Sequence, residues 1–286
     1  AFGTAFSEME KTFNQRNMTL SIGQKINDVN INLHTYVGTA NRSDKNYKGL
    51  NADYDDFEEY DMKDNSALDV FHLNMGIDKG EFKNRFIYDQ YDVESKDAFD
   101  AITDNYKLRY STMIFSSLYN HKPSDQLTIT PEFIFKKQLP YHLTNEYGKP
   151  SAMYYNIEAH RLTSRLTANY HFSEALNLIL GGEFFRDEAH ALDTFDYFIP
   201  IDNNELKKST FENMSLAAFS QITYKWKYID FLAGARFEEN NLYGGSFVPR
   251  MALTKAFDKF HYKILLSQAY RSPGISNIIT NREAIT

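Results

Sequence analysis

Apolar and polar residues alternate along most of this chain. Between 28 and 39, Val29, Ile31, Leu33 and Val37 fall on one parity, and Asn30, Asn32 and His34 on the other. A period of two is that of a β-strand with one apolar and one polar face. At 213–226, Leu216, Ala218, Ile222, Tyr224 and Trp226 oppose Ser215, Gln221, Thr223 and Lys225. At 260–271, Tyr262, Ile264, Leu266 and Tyr270 oppose His261, Lys263, Ser267 and Arg271. The pattern predicts about a dozen strands, at 12–25, 28–39, 67–77, 81–93, 105–120, 126–138, 156–171, 176–189, 212–226, 229–239, 246–256 and 260–271.

The connectors between these segments alternate in length. Short ones fall at Asn27-Asp28, Asp78-Lys79-Gly80, 121–125, 172–175, Lys227-Tyr228 and 257–259, and suit tight hairpin turns. Longer polar ones fall at 40–66, 94–104, 139–155 and 190–211, with a shorter one at 240–245. Long strands with short turns at one end and long loops at the other predict an all-β, antiparallel transmembrane β-barrel meander. Ile31, Leu216, Ile222, Ile264 and Leu266 should then share its lipid-facing side. Aromatic residues collect beside the short turns (Tyr170, Phe172, Tyr224, Trp226, Tyr228, Phe257, Phe260, Tyr262) and toward the long loops (Tyr88, Tyr91, Tyr106, Phe184, Phe237, Phe247, Tyr270). Two such belts are what two lipid–water interfaces select.

Composition narrows the chemistry. The 286 residues carry 31 Lys plus Arg against 38 Asp plus Glu, a net charge of −7 that argues against a nucleic-acid partner. With no Cys, disulfides, thiolate metal sites and thiol nucleophiles are excluded. The mean hydropathy of −0.52 is that of a soluble chain, but a β-barrel with polar lumen and loops gives the same value. No nucleophile–base motif, phosphate loop or dinucleotide fingerprint is present, so no enzyme activity and no cofactor is expected.

The stretch 215–277 adds order to these motifs. Phe219 and Gln221 precede a short turn and the segment Gly234 to Glu238. Pro249-Arg250 with Leu253 follows, then Tyr270 to Gly274. With the Gly-Gly-Glu run of 180–186 and the loop-like 42–54, these resemble the barrel of TonB-dependent outer-membrane transporters. The final box departs from the family pattern: Tyr270 stands for Phe, Ser272 for Ala and Gly274 for Ser. The resemblance implies a barrel of 22 strands around an N-terminal plug, in the bacterial outer membrane, energised by the TonB–ExbB–ExbD complex. Residues 1–286 would then be part of one barrel domain, with the plug and remaining strands outside the sequence. A ferric siderophore is the default ligand, with haem, cobalamin or glycan as alternatives. A non-transport anchor or adhesin is the reading from another class. Lipid and lipopolysaccharide would be the surroundings.

Parity places candidate ligand-path residues on the lumen side: Arg271 and Arg250 first, since both lie in the family-like motifs, then Arg236, Lys263, Arg109 and Arg85, with Lys83, Lys107, Arg161 and Arg165 beside them. Glu132, Glu183 and Glu238 share that side. Such a wall faces either an anionic chelate or merely water and the plug. The stretch 53–64, read as a loop, holds Asp53, Asp55, Asp56, Glu58, Glu59, Asp61 and Asp64 against Lys63 alone. It is either a hard-cation site or a solvated surface loop. His142 and His190, in long loops, are either axial ligands of a haem or exposed loop histidines.

Overall fold

A computed structural model describes residues 1–51, 56–95, 106–144, 157–192 and 210–270. Its strands run in chain order as β1 (Phe2–Glu8), β2 (Phe13–Ile26), β3 (Val29–Asn41), β4 (Asn46–Asn51), β5 (Asp56–Asp61), β6 (Ala67–Lys79), β7 (Phe82–Ser95), β8 (Tyr106–Tyr119), β9 (Leu127–Leu143), β10 (Ile157–His171), β11 (Leu176–Ala191), β12 (Thr210–Lys225), β13 (Asp230–Asn240), β14 (Gly244–Ala256) and β15 (His261–Ser267). Thirteen of them form one antiparallel sheet in the order β1-β2-β3-β6-β7-β8-β9-β10-β11-β12-β13-β14-β15. Every predicted strand is present. β1, which carries little alternation, is an addition to them.

The predicted connector 40–66 is not loop throughout. β4 and β5 pair as a separate hairpin, Asn46 opposite Asp61, and Met62–Asp64 form a 3-10 turn. So 56–61 of the acidic segment is a strand, stabilised by pairing with β4 that its own charged sequence does not announce. The tight turns follow backbone chemistry. Asn27 adopts a φ of 53° and Gly80 one of 56°, the left-handed region that Asn and Gly tolerate best.

Residues opposite each other in an antiparallel ladder share a face. One row runs Ile31, Ile77, Asn84, Ser117, Phe133, Ser164, Phe184, Leu216 across eight strands. A second runs Leu178, Ile222, Ala233, Met251, Leu266, and Ile264 stands two residues from Leu266 on the same side. The five residues expected on one face are on one face.

Burial on that sheet is inverted relative to a water-soluble protein. Leu166, Leu216 and Leu266 on the apolar face are 54%, 63% and 65% exposed, while Asp187, Asn213, Ser215 and Asn240 on the other face are buried. Covering a Leu or Ile side chain with apolar surroundings is worth about 1.5–3 kcal/mol, so a face built of them is unstable in water and suited to lipid. Aromatic pairs gather beside the short turns: Tyr170 with Phe172, Trp226 with Tyr228, Phe260 with Tyr262.

The long-connector end carries polar ties. Lys11 N–H donates to Asp44 Oδ2 (2.8 Å), Lys45 Nζ pairs with Glu10 Oε2 (2.8 Å), and Ser66 Oγ donates to the Ser43 carbonyl (2.7 Å). The first two fasten the β1–β2 turn to the start of the β4–β5 excursion, and the third joins the two ends of that excursion to each other.

Candidate functional site

The polar face carries a row of charges that sequence spacing does not reveal. Glu132, Arg165, Glu183, Ala217 and Glu238 lie directly opposite one another on β9 to β13. Arg165 Nη1 reaches Glu132 Oε2 (2.9 Å) and its Nη2 reaches Glu183 Oε2 (2.5 Å). Arg236 bridges back over the small Ala217, donating to Glu183 Oε1 (2.8 Å) and Glu238 Oε2 (2.9 Å). Ser215 Oγ donates to the remaining Glu238 oxygen (2.8 Å). Two same-face positions along β10, Arg161 holds Asp187 through two parallel bonds of 2.5 and 2.6 Å and lies over the Phe185 ring. Bidentate pairing of this kind is strong and directional.

This row pairs the lumen-side cations with the lumen-side Glu residues of the same sheet. Arg161, Arg165 and Arg236 are neutralised by carboxylates of the same sheet, so they brace neighbouring strands rather than present charge. Two predicted residues differ. Arg250 Nη2 donates to the amide oxygen of Gln221, and Arg85 Nε to that of Asn74 (3.0 Å). An amide carries no charge, so both guanidiniums keep theirs. Lys263 faces the same side, as its ladder position opposite Thr254 requires, and forms no ion pair among the described residues.

Arg109 is a clear displacement. It lies opposite Asp92 and pairs with it in a bidentate bridge of 2.8 and 2.6 Å. The unbroken β7–β8 register puts both on the side of Phe86, Phe115 and Met113, the apolar face, so Arg109 and with it Lys107 are not on the lumen side. The parity count fails because the alternation in 105–120 is blurred by Ser and Tyr on both faces. Tyr91, by contrast, sits on the polar face, stacked on Tyr110 at 4.7 Å.

Arg271 lies outside the described residues, as do Asp53 and Asp55. Asp56 and Glu58 fall in β5. Glu59 accepts from Asn46 (3.1 Å), and Asp61 accepts from the Lys63 amide (2.9 Å) and from Lys11 Nζ (3.3 Å). His142 and His190 belong to β9 and β11 rather than to loops.

Sequence reading also overlooked a histidine line on the polar face. Ser21 Oγ lies 2.7 Å from His34 Nδ1, the His34 and His72 rings are 5.6 Å apart, and His72 Nδ1 lies 2.5 Å from Asp89 Oδ1. These residues are far apart in the chain, and only strand pairing juxtaposes them.

The profile of the TonB dependent receptor-like β-barrel family matches residues 12–284. The chain belongs to this family. The family is one of outer-membrane transporters rather than enzymes, and the apolar face described above is the lipid-facing side of an outer-membrane sheet. Comparison with curated protein sequences gave no match. Among solved structures, the chain is similar to a variant of the ferric enterobactin receptor PfeA of Pseudomonas aeruginosa, with a TM-score of 0.71 at 10% identity over 95% of this chain and 43% of that one. The siderophore receptor PirA of Acinetobacter baumannii gives 0.63 at 12% identity over 95% and 43%. PirA of P. aeruginosa gives 0.61 at 10% identity over 96% and 43%. The chain thus spans less than half the length of these receptors.

Proposed function

We propose that this chain is the barrel segment of a receptor that takes up a ferric siderophore across the outer membrane, with energy supplied through TonB. The observation that carries the reading is the sheet itself: a lipid-facing apolar side backed by a wall of braced ion pairs, in a chain of this family. The similarity to structures described as ferric enterobactin and siderophore receptors supports the ligand class. On the inner wall, Arg250 and Arg85 are the cations held by neutral partners, and an anionic iron chelate would meet them uncompensated. Residues 1–286 act here as part of one barrel, completed by further strands beyond β1 and β15, since an open sheet edge in lipid leaves unpaired amides.

The test is growth. A strain lacking the full-length gene should lose iron-limited growth on at least one ferric siderophore from a panel of catecholates and hydroxamates. Restoring the gene should recover it, and only while TonB is intact. Recovery without TonB, or growth indifferent to the gene on every siderophore, overturns the reading.

A further inference from the structure

A second cluster sits on the opposite face of the sheet from the ion-pair row, and the transport reading does not use it. His160 on β10 lies directly across from Glu188 on β11, and His190 is the next residue of β11 on the same side, opposite Glu158. The ligand atoms of His160, Glu188 and His190 all lie within 4.8 Å of one another, and no other His, Asp or Glu group of this kind occurs among the described residues. The two imidazole rings are 5.9 Å apart.

The surroundings prepare each ligand. His160 Nε2 is buried and faces Glu158 Oε1 at 2.9 Å, which places a further carboxylate beside the cluster. His190 Nδ1 lies 3.2 Å from Thr210 Oγ1; donation to that hydroxyl leaves Nε2 with a free lone pair, the usual outer support of a metal-bound imidazole. Glu188 has one oxygen, Oε1, engaged by Arg186, while Oε2 points to His190 Nε2 at 4.0 Å. Glu158, tied to Lys137 at 2.6 Å, and Glu212, tied to Arg186 at 2.9 Å, complete the charges around the cluster.

We propose that His160, Glu188 and His190 bind a divalent transition metal of the zinc class. Two imidazoles and one carboxylate are a donor set suited to zinc and poorly suited to calcium or magnesium, which take oxygen ligands. Closing the cluster on an ion requires ligand atoms about 3.3 Å apart, as follows from tetrahedral bonds near 2.0 Å, which side-chain rotation supplies. β10 begins after connector 144–156 and β11 ends before connector 192–209, so the ion would clamp the feet of both. The site lies at the polar margin of the lipid-facing side, away from the ligand path, and its role is independent of which chelate is carried.

The experiment is titration of the full-length protein in detergent micelles, stripped with chelator, with zinc chloride by calorimetry. One saturable site is expected, with affinity reduced at least about tenfold in His160→Gln and abolished in His160→Gln/His190→Gln. A hundredfold excess of calcium or magnesium should not compete. Zinc should slow hydrogen exchange at 157–160 and 188–191 in the wild type alone. The same heat-modifiable gel shift in wild type and variants establishes that the barrels are folded, and if the double variant fails that check the single variant and the exchange data decide. Absence of saturable binding, binding unchanged in the variants, or zinc protection located elsewhere overturns the proposal.

Discussion

Arg250 on β14 donates to Gln221 on β12 by passing over Gly234 on β13. The three residues are ladder neighbours, and the central one has no side chain. A Cβ at Gly234 would lie 2.8 Å from the Ser220 carbonyl oxygen and 3.2 Å from Arg250 Nε. Gly234→Ala should therefore destabilise the barrel by about 1–3 kcal/mol, since the backbone oxygen cannot swing aside. Urea unfolding in micelles measures this, and an unchanged midpoint would remove the crowding argument.

Arg165 joins Glu132 to Glu183. Arg165→Met should leave Glu132 without a cation and Glu183 held by Arg236 alone, and cost about 1–2 kcal/mol, less than a fully buried pair because Arg165 keeps water contact. Adding Glu183→Gln should recover part of the loss. A double-mutant cycle reads the coupling, and strictly additive effects would show that the bridge contributes nothing.

Leu216 and Thr223 lie on opposite faces of β12. Leu216→Arg places a charge in lipid and should lower the folded fraction, at a cost of about 2–4 kcal/mol near the midplane. Thr223→Arg, on the wet side, should assemble at the wild-type level. Equal assembly of the two variants, followed by heat-modifiable migration, would contradict the facing derived from the register.

Trp226 is the single tryptophan and packs edge-on against Tyr228 beside a short turn. Its fluorescence in liposomes should be quenched strongly by lipids brominated near the headgroup and weakly by lipids brominated near the chain end. The reverse order would move this belt away from the interface.

The junction at the long-connector end should loosen in acid. The Lys45 ammonium holds the Glu10 carboxyl below its ordinary range, and the Lys11 amide does the same for Asp44. The Lys63 amide chiefly lowers Asp61. A carboxylate with a depressed folded pKa contributes stability above its unfolded value and loses it as pH falls through the folded one. Hydrogen exchange at 9–12, 44–46 and 61–66 should accelerate as pH drops below about 4, with the membrane strands unaffected. Exchange rates there that follow only the intrinsic pH dependence would refute the linkage.

Alternation by itself determined the twelve long strands and most of their faces, and connector length determined the two ends of the sheet. A strand's period is local, and a lipid-facing strand must be apolar on one side wherever it stands in the chain. Val29 to Val37 or Leu216 to Trp226 could therefore be assigned without knowing any neighbour. The family, too, was legible, because its motifs run in order along single strands. Strand pairing alone decided the rest. Register brought Glu132, Arg165, Glu183 and Glu238 into one row, turned Arg109 toward Asp92 on the lipid side, set Arg250 over Gly234 and placed His160 against His190. These contacts link residues up to dozens of positions apart, and a shift of one residue in any ladder would reverse them. No single segment encodes that shift. It is fixed by turn geometry and by the fit of all neighbouring strands at once.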